Sequence, residues 1–338
     1  MKKGITKILS ACVFAFVVFL AAGTQSKAAV NMGVKQTGAG SSYVDLAWNA
    51  QLGAGHYHTQ FSQDGKNWID MEYSSSPSDS VYNLTQGASY YARVVAYNGS
   101  HYSGTHVMVG VSETAIVSTK PTEVTGLTQT VAGVNSVSMS WNASAGAASY
   151  VIYGYINYNW TQIGTSATNS ATITGVAATT STKFSVAAVK NVTGGTVTGD
   201  QCSGVEMKAI PIKVSRIAMQ YYWDSLKEAK YIWTDVNNAD GYQYEVKSAN
   251  GKKTYFRATS TSSYTYVKPF PRGIFVKARV RAYVTVGNKV YYGAWSPYTY
   301  HASSKKVTAK RSSNGKKIYL KWKKVSGASG YQVYVSTK

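Results

Sequence analysis

The chain has 338 residues, a formal net charge of +21 and 44% apolar and aromatic residues. That length accommodates two or three domains, and the apolar content is enough to build cores, which excludes general disorder. Val, Thr, Ser, Tyr and Gly are abundant and there are only six prolines, a composition that favours strands and turns over helices.

The first element reads as an export signal over residues 1–28. "MKKGITK" is a basic start, Ile8 to Gly23 is an apolar run, and Ser26-Lys27-Ala28 fits a small-residue cleavage site. The run is short for a membrane span. Leu9-Ser10-Ala11-Cys12 has the look of a lipid-attachment box but precedes most of the apolar run, so it is read as coincidence. Cys202 is the one cysteine after that segment, which leaves no intrachain disulfide. It is expected to be a small packing residue near the end of its repeat.

A repeat then runs down the chain. "WNAQLGAGHY" (Trp48, Tyr57), "WNASAGAASY" (Trp141, Tyr150), "WTDVNNADGY" (Trp233, Tyr242) and the segment from Trp322 to Tyr331 share one spacing, and the tryptophans stand 93, 92 and 89 residues apart. A period near 90 residues marks a tandem array. Before each Trp the apolar residues alternate: Val44, Leu46, Trp48; Val137, Met139, Trp141; Tyr231, Trp233; Ile318, Leu320, Trp322. This period of two predicts strands with one buried face. Each Tyr opens a second alternating strand, and a third follows as "YYARVVAYN", "FSVAAVKN" and "FVKARVRAY".

These residues resemble the fibronectin type III domain, with a Trp on the second strand, a Tyr opening the third, and a Tyr-x-Val-x-Val-x-Ala-like later strand. In the first repeat Leu84, Gly87 and Tyr90 also match the approach to that later strand, with Gln86 in place of a proline. The resemblance implies that Tyr90 is a corner tyrosine whose hydroxyl bonds back to nearby backbone. Thr182 and Val276 stand at the equivalent positions of the next two repeats. The implied fold is all-β: tandem immunoglobulin-like β-sandwiches, three complete and one truncated. The expected limits are 29–118, 119–211, 212–302 and a partial repeat at 303–338. Structural core positions are Trp48, Tyr57, Tyr90, Trp141, Tyr150, Trp233, Tyr242, Trp322 and Tyr331. Short joins between repeats imply an extended rod, and a fourth repeat cut short leaves Trp322 less covered than Trp48 or Trp141.

The charge is unevenly placed. All fourteen acidic residues lie at or before Glu245, whereas residues 246–338 hold twenty Lys or Arg and no Asp or Glu. Lys277, Arg279 and Arg281 share one outward strand face, as do Lys317, Lys321 and Lys323 in the last segment. Such stripes attract polyanions, and these six residues are the candidate polyanion-binding set. Tyr153, Tyr155 and Trp160 form a second candidate surface, for stacking on a sugar ring.

Catalytic signatures are missing: no nucleophile elbow, no His-Glu-x-x-His helix, no phosphate-binding Gly loop and no Cys-x-x-Cys pair. The chain is expected to have no enzymatic activity, no cofactor and no metal. His56 and His58 flank Tyr57 and are read as two exposed polar strand residues, because two imidazoles make only half a metal site. The sequence is thus read as a secreted or cell-surface spacer or adhesion protein, with no obligate oligomer. Its expected partner is an anionic cell-wall polymer or polysaccharide, and the export signal, the absence of disulfides and the family resemblance together point to a Gram-positive bacterium. The alternative is the accessory front of a larger secreted hydrolase, which the resemblance also implies.

Overall fold

The computed structural model describes residues 28–103, 106–223, 225–271, 273–302, 307–326 and 328–333. The expected export signal lies outside the described residues except for Ala28. The chain divides into two compact units: Met1–Thr122 with Ala145–Ala148 and Val189–Asp200, and Glu123–Ser144 with Ser149–Ala188 and Gln201–Lys338.

The same eight-strand set occurs three times. The first comprises β1 (Lys35–Ala39), β2 (Val44–Ala47), β3 (His56–Ser62), β4 (Ile69–Ser74), β5 (Ser78–Val81), β6 (Ser89–Tyr97), β7 (Met108–Val111) and β8 (Ala115–Ser118). The second comprises β9 (Thr128–Gly133), β10 (Ser136–Ser140), β11 (Ser149–Ile156), β12 (Asn159–Ser166), β13 (Ser170–Thr174), β14 (Thr182–Val192), β15 (Gly195–Thr198) and β16 (Val205–Met207). The third comprises β17 (Ile217–Trp223), β18 (Glu228–Trp233), β19 (Gly241–Ser248), β20 (Thr254–Ser260), β21 (Tyr264–Val267), β22 (Phe275–Val286), β23 (Lys289–Tyr292) and β24 (Thr299–Ala302). A hairpin of β25 (Thr308–Arg311) and β26 (Ile318–Lys321) follows.

Each set makes two sheets in one order. Three strands pair as β1-β2-β5, β9-β10-β13 and β17-β18-β21. The others pair as β4-β3-β6-β7, β12-β11-β14-β15 and β20-β19-β22-β23, with β8, β16 and β24 also pairing on β6, β14 and β22. The final edge is therefore split into two short strands in every set. Two antiparallel sheets facing each other hide alternate residues between them, which is why β22 alternates half-buried and buried along most of its length.

The cores repeat at atomic detail. Trp48, Trp141 and Trp233 are buried, each edge-on to the Tyr nine residues later, with ring centres 5.4, 5.2 and 5.4 Å apart. Each of those tyrosines accepts a backbone N–H from six residues upstream: Gln51 to Tyr57 at 3.1 Å, Ser144 to Tyr150 at 3.0 Å and Val236 to Tyr242 at 2.8 Å. The aromatic body thus fills the core while the hydroxyl ties down the intervening turn. Burying each such side chain contributes roughly 1.5–3 kcal/mol. Tyr90 is buried and its hydroxyl accepts the Thr85 N–H at 3.0 Å, closing a tyrosine corner.

A second recurring device sits where the final edge splits. Ser112 Oγ accepts the Val94 N–H at 2.8 Å, and Ser296 Oγ accepts the Val280 N–H at 3.0 Å. In the second set Cys202 Sγ takes this place, accepting the Val186 N–H at 3.3 Å. Cys202 is buried and stands where its counterparts are serines.

The fourth segment keeps the aromatic pair without the enclosure. Trp322 and Tyr331 have ring centres 5.5 Å apart, and Tyr331 accepts the Val325 N–H at 2.5 Å. Trp322 is only half-buried, Tyr331 is exposed, and Ile318 and Leu320 on β26 are 65% and 39% exposed. Among the described residues β26 pairs with β25 alone.

Candidate functional site

The outward face of the five-stranded sheet of the third sandwich is built around one carboxylate. Strand alternation turns Gln243, Glu245 and Lys247 of β19 to that side, and antiparallel register sets them opposite Arg281, Arg279 and Lys277 of β22. Glu245 also faces Arg257 of β20. Its side chain is fully buried and bonds Arg257 Nη2 at 2.6 Å, Arg279 Nε at 2.6 Å and Lys247 Nζ at 3.1 Å. Burial pushes the carboxyl up, but these charged hydrogen bonds outweigh it and hold the pKa at about 2.

Aromatic rings from β23 and the loop after it interleave with the cations. Arg281 stacks between Tyr292 at 3.9 Å and Trp295 at 4.4 Å, and Arg279 between Trp295 at 4.3 Å and Tyr298 at 4.8 Å. Lys277 lies over Tyr298 at 4.6 Å. Arg281 also donates through Nε and Nη2 to Gln243 Oε1 at 3.0 and 2.6 Å. Each planar guanidinium thus lies over two rings and is held by a side-chain acceptor on β19. Lys277, Arg279 and Arg281 do share the outward face that strand alternation predicts. All three are half-buried, and both arginines are engaged within the domain.

Lys317, Lys321 and Lys323 have a different setting. All three are exposed, as are Lys310, Arg311, Lys316 and Lys324 on the same hairpin. No ion pair joins any of them to a carboxylate among the described residues, as expected of a stretch without acids.

At the edge of the second sandwich, β11 and β12 join through a two-residue turn, Asn157-Tyr158, with φ of 50° and 64°. Positive φ at both positions is the hairpin turn whose twist matches the strands. Tyr155 and Trp160 are cross-strand partners with ring centres 5.3 Å apart, each about two-fifths exposed. Tyr153 is half-buried two residues earlier. Tyr158, which the sequence reading did not select, is 89% exposed at the tip. One edge of Trp160 rests on Gly204, where an added Cβ would lie 2.7 Å from the ring. By contrast Trp68, after β3, has a face covered by the Arg93 guanidinium at 4.1 Å.

In the first sandwich the histidines are not two exposed strand residues. His56 is buried, 2% exposed, and its Nδ1 lies 3.0 Å from the Gly99 carbonyl oxygen. His58 is half-buried, with Nε2 3.2 Å from Nδ1 of His101. Burial lowers the His58 pKa, opposed by Asp70 and reinforced by His56, His101 and His106. His101 and His106 come from the β6–β7 connection. Their arrival was missed because no local spacing links them to His56. The pairing of His56 with Tyr97 at the end of β6 returns that connection to it.

The strand order, the repeated Trp–Tyr pair and the split final edge define a tandem series of fibronectin type III β-sandwiches. The fold is that of tandem immunoglobulin-like β-sandwiches of the fibronectin type III kind. No protein-family model matches it. It is similar to Chitinase A1 of Niallia circulans, 32% identical over 162 residues, covering 46% of this chain and 22% of the chitinase. The match therefore spans about a fifth of that relative's length. Among solved structures it is similar to the FN1–FN3 domains of chicken CNTN1, at 15% identity and a TM-score of 0.33, covering 81% of this chain and 98% of that one.

Proposed function

We propose that this protein is a secreted, non-catalytic repeat protein of a bacterial surface, held on an anionic wall polymer or polysaccharide by its basic C-terminal region. The observation that supports the reading is the exposed cation cluster of the β25–β26 hairpin, within a stretch of 93 residues without an acidic side chain. Polyanions bind such clusters by charge, with weak demands on geometry and strong sensitivity to salt. The role falls to Lys317, Lys321 and Lys323 with their hairpin neighbours, while the stacked arginines of β22 brace their own sheet.

Retention of residues 29–338 on purified cell wall, measured across a salt series, tests this. Retention at low salt should fall steeply as salt rises, and replacing the three lysines with glutamine should weaken it. Retention that ignores salt, or none at low salt, would reject the mechanism.

A second reading is an accessory region of a secreted carbohydrate-active hydrolase. The partial similarity to a chitinase favours it. The exposed Tyr155, Tyr158 and Trp160 supply the kind of ring surface that stacks on a sugar. A glycan array comparing the chain with its Trp160→Ala variant tests that surface; equal binding by both would remove it.

A further inference from the structure

Four of the five histidines in the chain gather at one end of the first sandwich. His56 and His58 stand on β3, and His101 and His106 reach them from the β6–β7 connection. Nitrogen atoms of His56, His58 and His101 lie within 4.8 Å of one another, and His58 Nε2 is 3.2 Å from His101 Nδ1.

The tautomer of His56 is set by its neighbour. With Nδ1–H donating to the Gly99 carbonyl at 3.0 Å, the lone pair is on Nε2. That atom is buried and has no hydrogen-bond partner. A ring nitrogen fixed by a backbone carbonyl, with the opposite nitrogen buried and unpartnered beside other imidazoles, is the arrangement metal-binding histidines adopt. Packing holds the other rings: Tyr73 stacks on His101 at 4.1 Å and Tyr97 on His56 at 5.3 Å.

The ring spacing matches a common ligand sphere. A zinc–nitrogen bond of about 2.1 Å puts an imidazole centre about 3.2 Å from the ion, so tetrahedral neighbours stand about 5.2 Å apart. The observed separations are 5.3 Å for His56–His58, 5.4 Å for His56–His101, 5.2 Å for His58–His101 and 5.2 Å for His56–His106. His106 is farther from His58, at 6.5 Å, and is exposed.

We propose that His56, His58 and His101 bind a divalent transition-metal ion of the zinc type, with His106 closing the coordination. Imidazole ligands select such ions over calcium or magnesium, which take oxygen ligands. The ion would clamp the β6–β7 connection onto β3.

The test uses the untagged mature chain, stripped with a chelator and dialysed. Titration with zinc chloride should give one ion per chain, and cobalt(II) should develop the intense visible bands of a four-coordinate site. His101→Ala should weaken zinc binding at least about tenfold, of the order seen when a metal site loses a supporting group. His106→Ala should weaken it less, and His301→Ala, the histidine outside the cluster, should leave it unchanged. Far-UV circular dichroism checks that each variant folds, and His101→Gln replaces His101→Ala should the latter not fold. Failure to bind one equivalent at about 0.1 mM zinc, or equal affinity in the parent and the His101 variant, would overturn the proposal.

Discussion

The second and third sandwiches share a strand order, a buried Trp–Tyr pair and a tyrosine hydroxyl that fastens the same turn. Their outward faces have nothing in common. β11 turns out Val151, Tyr153 and Tyr155, whereas β19 turns out Gln243, Glu245 and Lys247 beneath a ladder of cations and rings. Inward positions must fill a closed space and therefore change little in kind. Outward positions answer only to solvent and to one another, so one framework carries an aromatic edge in one repeat and an arginine brace in the next.

The largest effects should come from the shared core. Trp233→Ala should destabilise the third sandwich by about 3–5 kcal/mol, and Trp141→Ala the second by a similar amount, because each removes a buried indole. Trp322→Ala, half-buried on the hairpin, should cost well under half of that. Hydrogen exchange resolved by repeat would measure all three, and a larger loss at Trp322 would break the distinction between enclosed and open segments.

Next comes acid, which should separate the two faces. The Glu245 carboxyl titrates at about 2 when folded against 4.5 unperturbed, so its stabilisation is complete above the unfolded pKa and disappears as pH falls from about 4.5 to about 2. The loss is on the order of 3 kcal/mol. It should appear in the third sandwich, and the Glu245→Gln variant should lose most of that pH dependence. A second sandwich that weakens equally over this window would remove the carboxylate from the account.

A smaller effect lies in the split final edge. Cys202→Ser restores the residue found at the equivalent place in the other two sandwiches and should change stability by less than about 1 kcal/mol. Cys202→Ala leaves the Val186 N–H without its acceptor and should cost about 1 kcal/mol more than serine. Equal melting of the two variants would show that the sulfur contributes packing alone. Smallest of all, glutamine at Lys317, Lys321 and Lys323 should leave thermal unfolding within about 0.5 kcal/mol, as expected of exposed surface positions.

The fold was legible because its signal is local. Alternation before Trp48, Trp141 and Trp233, and a tyrosine nine residues later, are set by strand geometry and core filling, which act over a few residues. Tyr90 and its corner followed from the resemblance to the fibronectin type III domain carried by Leu84, Gly87 and Tyr90. The outward cation row of β22 was legible only in part. Strand phase put Lys277, Arg279 and Arg281 on the outer face, but their stacking on Tyr292, Trp295 and Tyr298 depends on how the β23–β24 connection folds back.

By itself the sequence determined the repeat, its strands, the inward and outward phases, and the segregation of charge. Tertiary structure alone decided which outward groups meet. Glu245 finds Arg257 and Arg279 on two other strands, 12 and 34 residues away, and His56 finds His101 across 45 residues. Those encounters depend on pairing register and loop return, and neither leaves a mark in local spacing. Hence the buried carboxylate and the histidine cluster became visible only once the sheets were assembled.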